Sequence, residues 1–169
     1  MPPTKYLILR KLVPPENDSK KIFLIIARHG NATNLGFSSE RPLSETGKNE
    51  ANILANKISE SEIEVSKIFH SGVLRSTETG AIVSQKLDKP MEVLPKLSES
   101  FEQNAAYWLT FIETLDESVL LIGHNPTINF ILNLTNPNIS FDFFTASAIG
   151  LLKDPENLTY KSTWQHRSN

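Results

Sequence analysis

Hydrophobic and polar positions alternate in blocks along this chain, and three strand-like blocks each stop at a short polar turn. The blocks are residues 22–27, 67–70 and 119–122, and the turns are Arg28-His29-Gly30, Ser71-Gly72 and Gly123-His124-Asn125. Short apolar runs predict strands that are buried in a parallel sheet. Because ligands in open α/β sheets bind at the carboxyl ends of such strands, the chemistry is expected at these turns.

A helical pattern follows the first block after a polar loop over residues 31–41. Apolar side chains there recur at i, i+3, i+4 and i+7, which is one face of an amphipathic helix. They are Ala51, Leu54, Ala55 and Ile58. Ser44 or Thr46 is the predicted N-cap, because a hydroxyl can accept from a free amide of the first turn.

The same strand, turn and helix order recurs, with Arg75 in the first turn of the second helix. Further helices are predicted over residues 104–115 and from Pro126 to about Leu134, and further strands over residues 91–94, 148–153 and 159–164. The buried face of the third helix is predicted to carry Ala105, Trp108, Leu109 and Ile112. This alternation predicts an α/β fold, a three-layer α/β/α sandwich with a mainly parallel central sheet.

Composition limits the function classes. The chain has 169 residues, and its net charge of -2 favours neither nucleic acid nor an anionic membrane as partner. It contains no cysteine, so cysteine nucleophiles and thiolate metal sites are excluded.

Residues 1–21 are rich in proline and predict an N-terminal extension, and residues 22–169 predict one domain. Without a secretory or membrane-spanning pattern, a cytoplasmic location is expected.

Superposing the three repeated units places Arg28, His29, Arg75 and His124 around one pocket. Guanidinium groups match the geometry of phosphate with paired donors, and two imidazoles add further donors or acceptors. On a slightly acidic chain this is a local concentration of positive charge. The residues themselves therefore indicate a phosphoryl site.

These motifs, with the segment from Arg41-Pro42-Leu43-Ser44 to Gly47, resemble the histidine phosphatase superfamily, which has the phosphoglycerate-mutase-like fold. The resemblance extends over residues 22–152. The short length and the start Arg28-His29-Gly30-Asn31-Ala32 are most similar to the small SixA-type phosphohistidine phosphatases. Ala32 and Leu35 stand where mutase-like members have polar residues, which favours a phosphatase with an open, shallow site over a mutase.

The resemblance implies roles for the pocket residues. His29 would be the nucleophile, with its second ring nitrogen donating to a backbone carbonyl. Arg28, Arg75 and a protonated His124 would stabilise the transferring phosphoryl group. Glu99 matches the position of the general acid in mutase-like members, which would protonate an alkoxide leaving group.

Four further residues are candidates for contact with the substrate. Gly30 and Asn125 adjoin the two histidines, and Gly30 lets the backbone approach a ligand closely. Arg41 reaches the substrate or pairs with a helix carboxylate such as Glu45, and the pairing is favoured. Ser147 lines the phosphate pocket or caps a turn, and the sequence does not choose between these.

The leading function is hydrolysis of protein phosphohistidine through a phosphohistidine intermediate, without metal or other cofactor. A small phosphomonoester is the alternative substrate. One competing hypothesis is a metal-dependent hydrolase with His29 and His124 as ligands, but the usual metal-ligand spacings are missing. Another is a non-catalytic module that binds a phosphorylated ligand, against which the complete set of four pocket residues argues. The oligomeric state is not readable from the sequence.

Overall fold

The computed structural model describes residues 20–98, 103–156 and 159–168, where six strands form one sheet between two helical layers. The strands are β1 (Phe23–Arg28), β2 (Lys67–His70), β3 (Met91–Val93), β4 (Val119–Gly123), β5 (Ala148–Lys153) and β6 (Tyr160–His166). The helices are α1 (Glu45–Glu60), α2 (Leu74–Leu87), α3 (Ala105–Glu113) and α4 (Thr127–Thr135). Two short 3-10 turns cover Ser38–Glu40 and Pro95–Leu97.

The strand order is β3-β2-β4-β1-β5-β6, and the first four strands in this order are parallel. The last two, β5 and β6, add an antiparallel hairpin, so the expectation of a mainly parallel sheet is confirmed. Arg28 pairs with Gly123 in the register between β1 and β4, and His70 pairs with Ile122 in that between β2 and β4. The carboxyl ends of three strands therefore meet at one edge of the sheet, which we call the site edge.

Alternate side chains of each strand pack on opposite helical layers, as the pleat of a strand requires. In β1, Leu24 and Ile26 belong to the core shared with α3 and α4, whereas Ile25 and Ala27 belong to the core shared with α1 and α2. Both faces of the central strands are therefore covered, which explains why their sequences are continuously apolar. The two layers of helices support the site edge from both sides.

Helix α1 begins as predicted, because the Ser44 side chain accepts from the backbone N–H of Gly47. Its predicted apolar face is buried throughout. The face predicted for α3 is partly wrong, because Trp108 and Ile112 are buried but Ala105 and Leu109 are exposed. Tyr107 and Phe111 pack against the core instead, which rotates the buried stripe by one position.

Strand β6 ends later than the sequence indicates. It extends to His166, which stacks on Trp164 at 6.5 Å between ring centroids and is half-buried. His166 therefore belongs to the edge strand, beyond the predicted end at residue 164. The predicted boundary after residue 21 stays a prediction, since residues 1–19 lie outside the described part of the chain. None of the helices within the described ranges has the length and apolar character needed to cross a membrane.

Candidate active site

His29 lies just beyond β1, and backbone bonds from two other segments hold it there. Its N–H donates to the carbonyl of Gly123 at 3.2 Å, and its own carbonyl accepts from the N–H of Ala146 at 3.0 Å. The next residue, Gly30, donates its N–H to the Thr79 hydroxyl of α2 at 3.1 Å. The histidine is thus fixed by β4, by the segment before β5 and by α2.

The Arg75 side chain lies between two imidazoles. Its Nε donates to Nε2 of His29 at 3.2 Å, and its Nη2 is 3.2 Å from Nδ1 of His124. The two imidazole centroids are 4.7 Å apart. Arg75 and His124 are only 3% and 1% exposed, so these contacts form in a low-dielectric environment where charge interactions are strong. The structure therefore brings His29, Arg75 and His124 together in one pocket.

Hydrogen-bond directions assign the proton on His29. Its Nδ1 is 2.7 Å from the carbonyl of Gly30, and a carbonyl oxygen can only accept, so Nδ1 carries the hydrogen. Its Nε2 accepts from the Arg75 guanidinium, which can only donate. The expected bond to a backbone carbonyl is therefore present, and the lone pair of Nε2 points toward the guanidinium group.

His124 is neutral in the protein by the same reasoning. Its Nδ1 accepts from Arg75, so its Nε2 carries the proton and donates to the Ser71 hydroxyl at 2.8 Å. Burial lowers the pKa of His124 to about 3, and electrostatic interactions with His29, Arg75 and Arg28 act in the same direction. The protonated His124 implied by the resemblance is thus not the form that these surroundings favour.

Arg28 contributes positive charge to the pocket from its place at the end of β1. Its Nη1 donates to the carbonyl of Phe143 at 3.1 Å, and its charge is close enough to His124 to lower the pKa of that imidazole. The side-chain amide of Asn125 donates to the same carbonyl at 3.2 Å. Phe143 therefore links two of the predicted site residues.

Ser147 and Arg41 make contacts within the protein. The Ser147 hydroxyl donates to the carbonyl of Phe144 at 2.7 Å, which is the turn-capping alternative. Arg41 donates to the carbonyl of Thr33 at 2.6 Å and to the side chain of Asn34 at 3.2 Å. The predicted pairing of Arg41 with Glu45 was wrong, because the neighbouring Lys48 takes that carboxylate at 2.7 Å.

Glu99, the candidate general acid, lies outside the described residues, as do its neighbours over residues 100–102. Thr79 was not predicted as a site residue, yet its hydroxyl accepts from Gly30 and donates to the carbonyl of Arg75 at 2.7 Å. A signal was available, because Thr79 follows Arg75 by one helical turn and so lies on the same face of α2. The carbonyl of Ser38 was not predicted either, and it accepts from Nη1 of Arg75 at 2.5 Å.

Close packing of two glycines joins the His29 turn to the start of α1. A Cβ built on Gly30 would lie 2.6 Å from the carbonyl oxygen of Gly47. A Cβ on Gly47 would lie 1.9 Å from the carbonyl oxygen of Asn31. The turn that carries His29 and the first turn of α1 are thus in backbone contact, which residues with side chains would prevent.

Comparison with known proteins places these features in a family. The sequence model of the histidine phosphatase superfamily (branch 1) matches residues 24–106, which include Arg28, His29 and Arg75. Phosphohistidine phosphatase SixA of Escherichia coli (strain K12) is 29% identical over 147 residues, which cover 84% of this chain and 91% of that protein. Both the sequence model and this relative match the chain to the histidine phosphatase superfamily.

Solved structures of the histidine phosphatase superfamily share the fold. A structure of the protein histidine phosphatase SixA complexed with tungstate superposes with a TM-score of 0.76 at 26% identity, over 85% of this chain and 96% of that chain. A phosphoglycerate mutase from Plasmodium falciparum gives a TM-score of 0.66 at 21% identity, over 88% of this chain and 94% of that chain. The protein therefore has a phosphoglycerate-mutase-like fold, and the proteins that it matches support a phosphatase activity.

Proposed function

We propose that this protein is a histidine phosphatase, which hydrolyses a phosphoryl group through a covalent phosphohistidine on His29. The contact of one buried guanidinium with two neutral imidazoles carries this proposal, with Arg75 at 3.2 Å from each ring. A bound phosphoryl group would take the donors of Arg75 in place of the imidazoles, because a dianion accepts more strongly than a neutral nitrogen. That exchange would free the Nε2 lone pair of His29 for attack.

The reaction has two displacements. In the first, the lone pair of His29 Nε2 forms a bond to phosphorus, and the bond to the leaving group breaks with its electron pair going to that group. In the second, water attacks phosphorus, the P–Nε2 bond breaks, and inorganic phosphate leaves with the free imidazole restored. Throughout both steps Nδ1 keeps its proton and donates it to the carbonyl of Gly30, 2.7 Å away.

The cationic side chains supply the electrostatic stabilisation that dominates phosphoryl transfer. Arg75 and Arg28 would hold the equatorial oxygens. His124 would take up a proton only when the negative phosphoryl group lies beside it, because burial and the neighbouring positive charges lower its pKa in the protein alone. Ser71 then keeps the ring oriented through its bond to Nε2.

Protein phosphohistidine is the substrate we propose. The Escherichia coli relative is named a phosphohistidine phosphatase. A related structure, of the protein histidine phosphatase SixA, holds tungstate, which is a tetrahedral oxyanion like phosphate. The leaving imidazole of phosphohistidine departs readily when it is protonated. The reaction therefore depends less on a general acid than ester hydrolysis does, which reduces the demand on Glu99.

Replacing His29 tests the proposal. We expect His29→Ala to abolish hydrolysis of free phosphohistidine while the far-UV circular dichroism stays that of the wild type. Arg75→Ala should lower kcat/KM by about 100-fold or more, the usual cost of removing one electrostatic stabiliser. Wild type that is denatured in alkaline detergent during turnover should carry phosphate on His29, because a phosphoramidate is stable in alkali. Undiminished turnover by His29→Ala would contradict the proposal.

A parallel panel addresses the substrate class. Free phosphohistidine, a phosphohistidine peptide and several phosphomonoesters are compared by kcat/KM under one set of conditions. Preference for the phosphohistidine compounds supports the proposed substrate. A higher value for a phosphomonoester would assign the enzyme to small-molecule phosphate hydrolysis by the same mechanism.

A further inference from the structure

Exposed large hydrophobic side chains gather at the site edge. Among the residues that the structure describes, seven such side chains are exposed, and Ile53 and Leu109 lie away from the edge on α1 and α3. The other five lie at the end of a strand or in the segments beside one: Leu35 and Phe37 follow β1, Leu74 follows β2, Val93 is the last residue of β3, and Phe144 precedes β5. We call these five residues the apolar rim. Single exposed hydrophobic residues are common, but a group at one edge marks an interaction site.

The apolar rim is joined to the pocket through the backbone. Phe37 is 82% exposed and precedes Ser38, whose carbonyl accepts from Arg75. Phe144 is 57% exposed and follows Phe143, whose carbonyl accepts from Arg28 at 3.1 Å. The two most exposed aromatic residues of the described chain therefore adjoin the groups that hold the two site arginines.

The rim and the pocket differ in the chemistry they can recognise. The pocket suits a small anion, because Arg28 and Arg75 bring two positive charges to buried imidazoles. The rim carries no charged side chain, and covering it with apolar surface is favourable because that surface is removed from water. A small hydrophilic phosphate ester would fill the pocket and leave the rim in water. A ligand that fills the pocket and also covers the rim must carry its phosphoryl group among apolar groups.

We infer that the apolar rim binds the surface of a protein substrate whose phosphohistidine is flanked by apolar side chains. The phosphoryl group binds in the pocket against Nε2 of His29, and the flanking side chains cover Phe37 and Phe144. This inference rests on the proposed function and adds the chemistry of the partner. It also makes the rim, and not the pocket, the source of selection among phosphorylated proteins.

Two peptides of equal length test the inference. Each carries a central histidine phosphorylated with phosphoramidate, flanked on both sides by leucine in one peptide and by glutamine in the other. Wild type should hydrolyse the leucine peptide with a kcat/KM about 10-fold higher, the effect expected from covering two methylene groups. The difference should lie mainly in KM, because the rim does not touch the phosphoryl group.

A double substitution in the rim supplies the matched comparison. Phe37→Ser with Phe144→Ser should reduce the preference for the leucine peptide to within about 2-fold, because the covered apolar surface is gone. Hydrolysis of free phosphohistidine should stay at the wild-type rate. Ile53→Ser removes an exposed hydrophobic residue of α1 and should keep the full preference.

Three results would overturn the inference. Equal kcat/KM for the two peptides in wild type would refute the role of the rim in substrate binding. The proposed function would still stand if wild type hydrolyses free phosphohistidine and His29→Ala does not. Failure to hydrolyse any phosphohistidine compound would refute the proposed function and the inference together. A wild-type dimer that the double substitution converts to monomer, seen by sedimentation velocity, would assign the rim to a second copy of this chain.

Discussion

At the scale of single residues, Arg75 sets the protonation of both imidazoles. A guanidinium only donates, so each ring must present an unprotonated nitrogen to it, Nε2 in His29 and Nδ1 in His124. The opposite nitrogens are held by the Gly30 carbonyl and the Ser71 hydroxyl. Both rings are therefore prepared as neutral groups in defined tautomers before a phosphoryl group arrives.

The lowered pKa of His124 predicts a pH dependence of stability. In the folded protein this pKa is about 3, compared with 6.5 for an unperturbed histidine. Between these values the unfolded chain binds a proton that the folded protein does not, so the free energy of unfolding falls as the pH decreases from 6.5 toward 3. Near pH 5 this group alone contributes a slope of about 1.4 kcal/mol per pH unit.

Urea unfolding of wild type and His124→Asn at several pH values between 6 and 4 measures this slope. The variant should lose stability less steeply as the pH falls. Burial also lowers the pKa values of His70 and His166, but both are present in the two proteins and cancel in the comparison. Equal slopes would show that His124 is not held neutral by its surroundings.

At the scale of elements, the site depends on how closely the helices approach the turns. Helix α1 touches the turn after β1 through Gly30 and Gly47, and α2 holds the same turn through Thr79. Glu50 of α1 adds a further connection, accepting from the N–H of Asn31 at 2.7 Å and from the Thr145 hydroxyl at 3.0 Å. The two segments on either side of His29 are thus tied to one helix.

Two glycine substitutions distinguish the effect of close packing on stability from the effect of helix propensity. Gly47→Ala would place a methyl group 1.9 Å from the Asn31 carbonyl, so the free energy of unfolding should fall by about 2 kcal/mol or more. Gly80→Ala in α2 would meet only ordinary contacts, the nearest at 3.6 Å from His70. It should raise stability by about 0.5–1 kcal/mol, because alanine favours a helix. Chemical denaturation gives both values, and similar effects of the two changes would contradict this account of the packing.

At the scale of the whole molecule, the fold gathers positive charge at one edge of a chain whose net charge is -2. The site edge receives Arg28 from β1 and Arg75 from α2, while the rest of the surface carries the acidic excess. Within the described ranges, His, Asp and Glu side chains form no group of three suited to a metal ion. Two guanidinium groups near the histidines also disfavour a cation there.

Chelator treatment tests the predicted independence from metal. Incubation with excess EDTA followed by desalting should leave kcat/KM for free phosphohistidine within about 2-fold of the untreated value, because the electrostatic work is assigned to side chains. Metal content is measured on the same samples. Loss of activity on chelation with recovery on adding zinc would support His29 and His124 as metal ligands instead.

The local sequence pattern correctly predicted several secondary-structure elements. The strands β2 and β5, the buried face of α1 and its Ser44 cap follow from side-chain period and cap chemistry, which act over a few residues. Errors came where the local signal was ambiguous. In α3 several apolar residues fit more than one face, and the packing of Trp108 and Ile112 on the sheet selected among them.

The amino-acid sequence determined which elements form and which residues stand at their ends, because these depend on neighbours within a turn or two of the chain. Only the tertiary structure decided that the Arg75 guanidinium lies between His29 and His124, which are 46 and 49 positions away from it. It also decided that His124 is neutral, since that depends on burial and on neighbouring positive charges from β1 and α2. Contacts between residues so far apart in the sequence are set by packing across the sheet, and no local pattern encodes that packing.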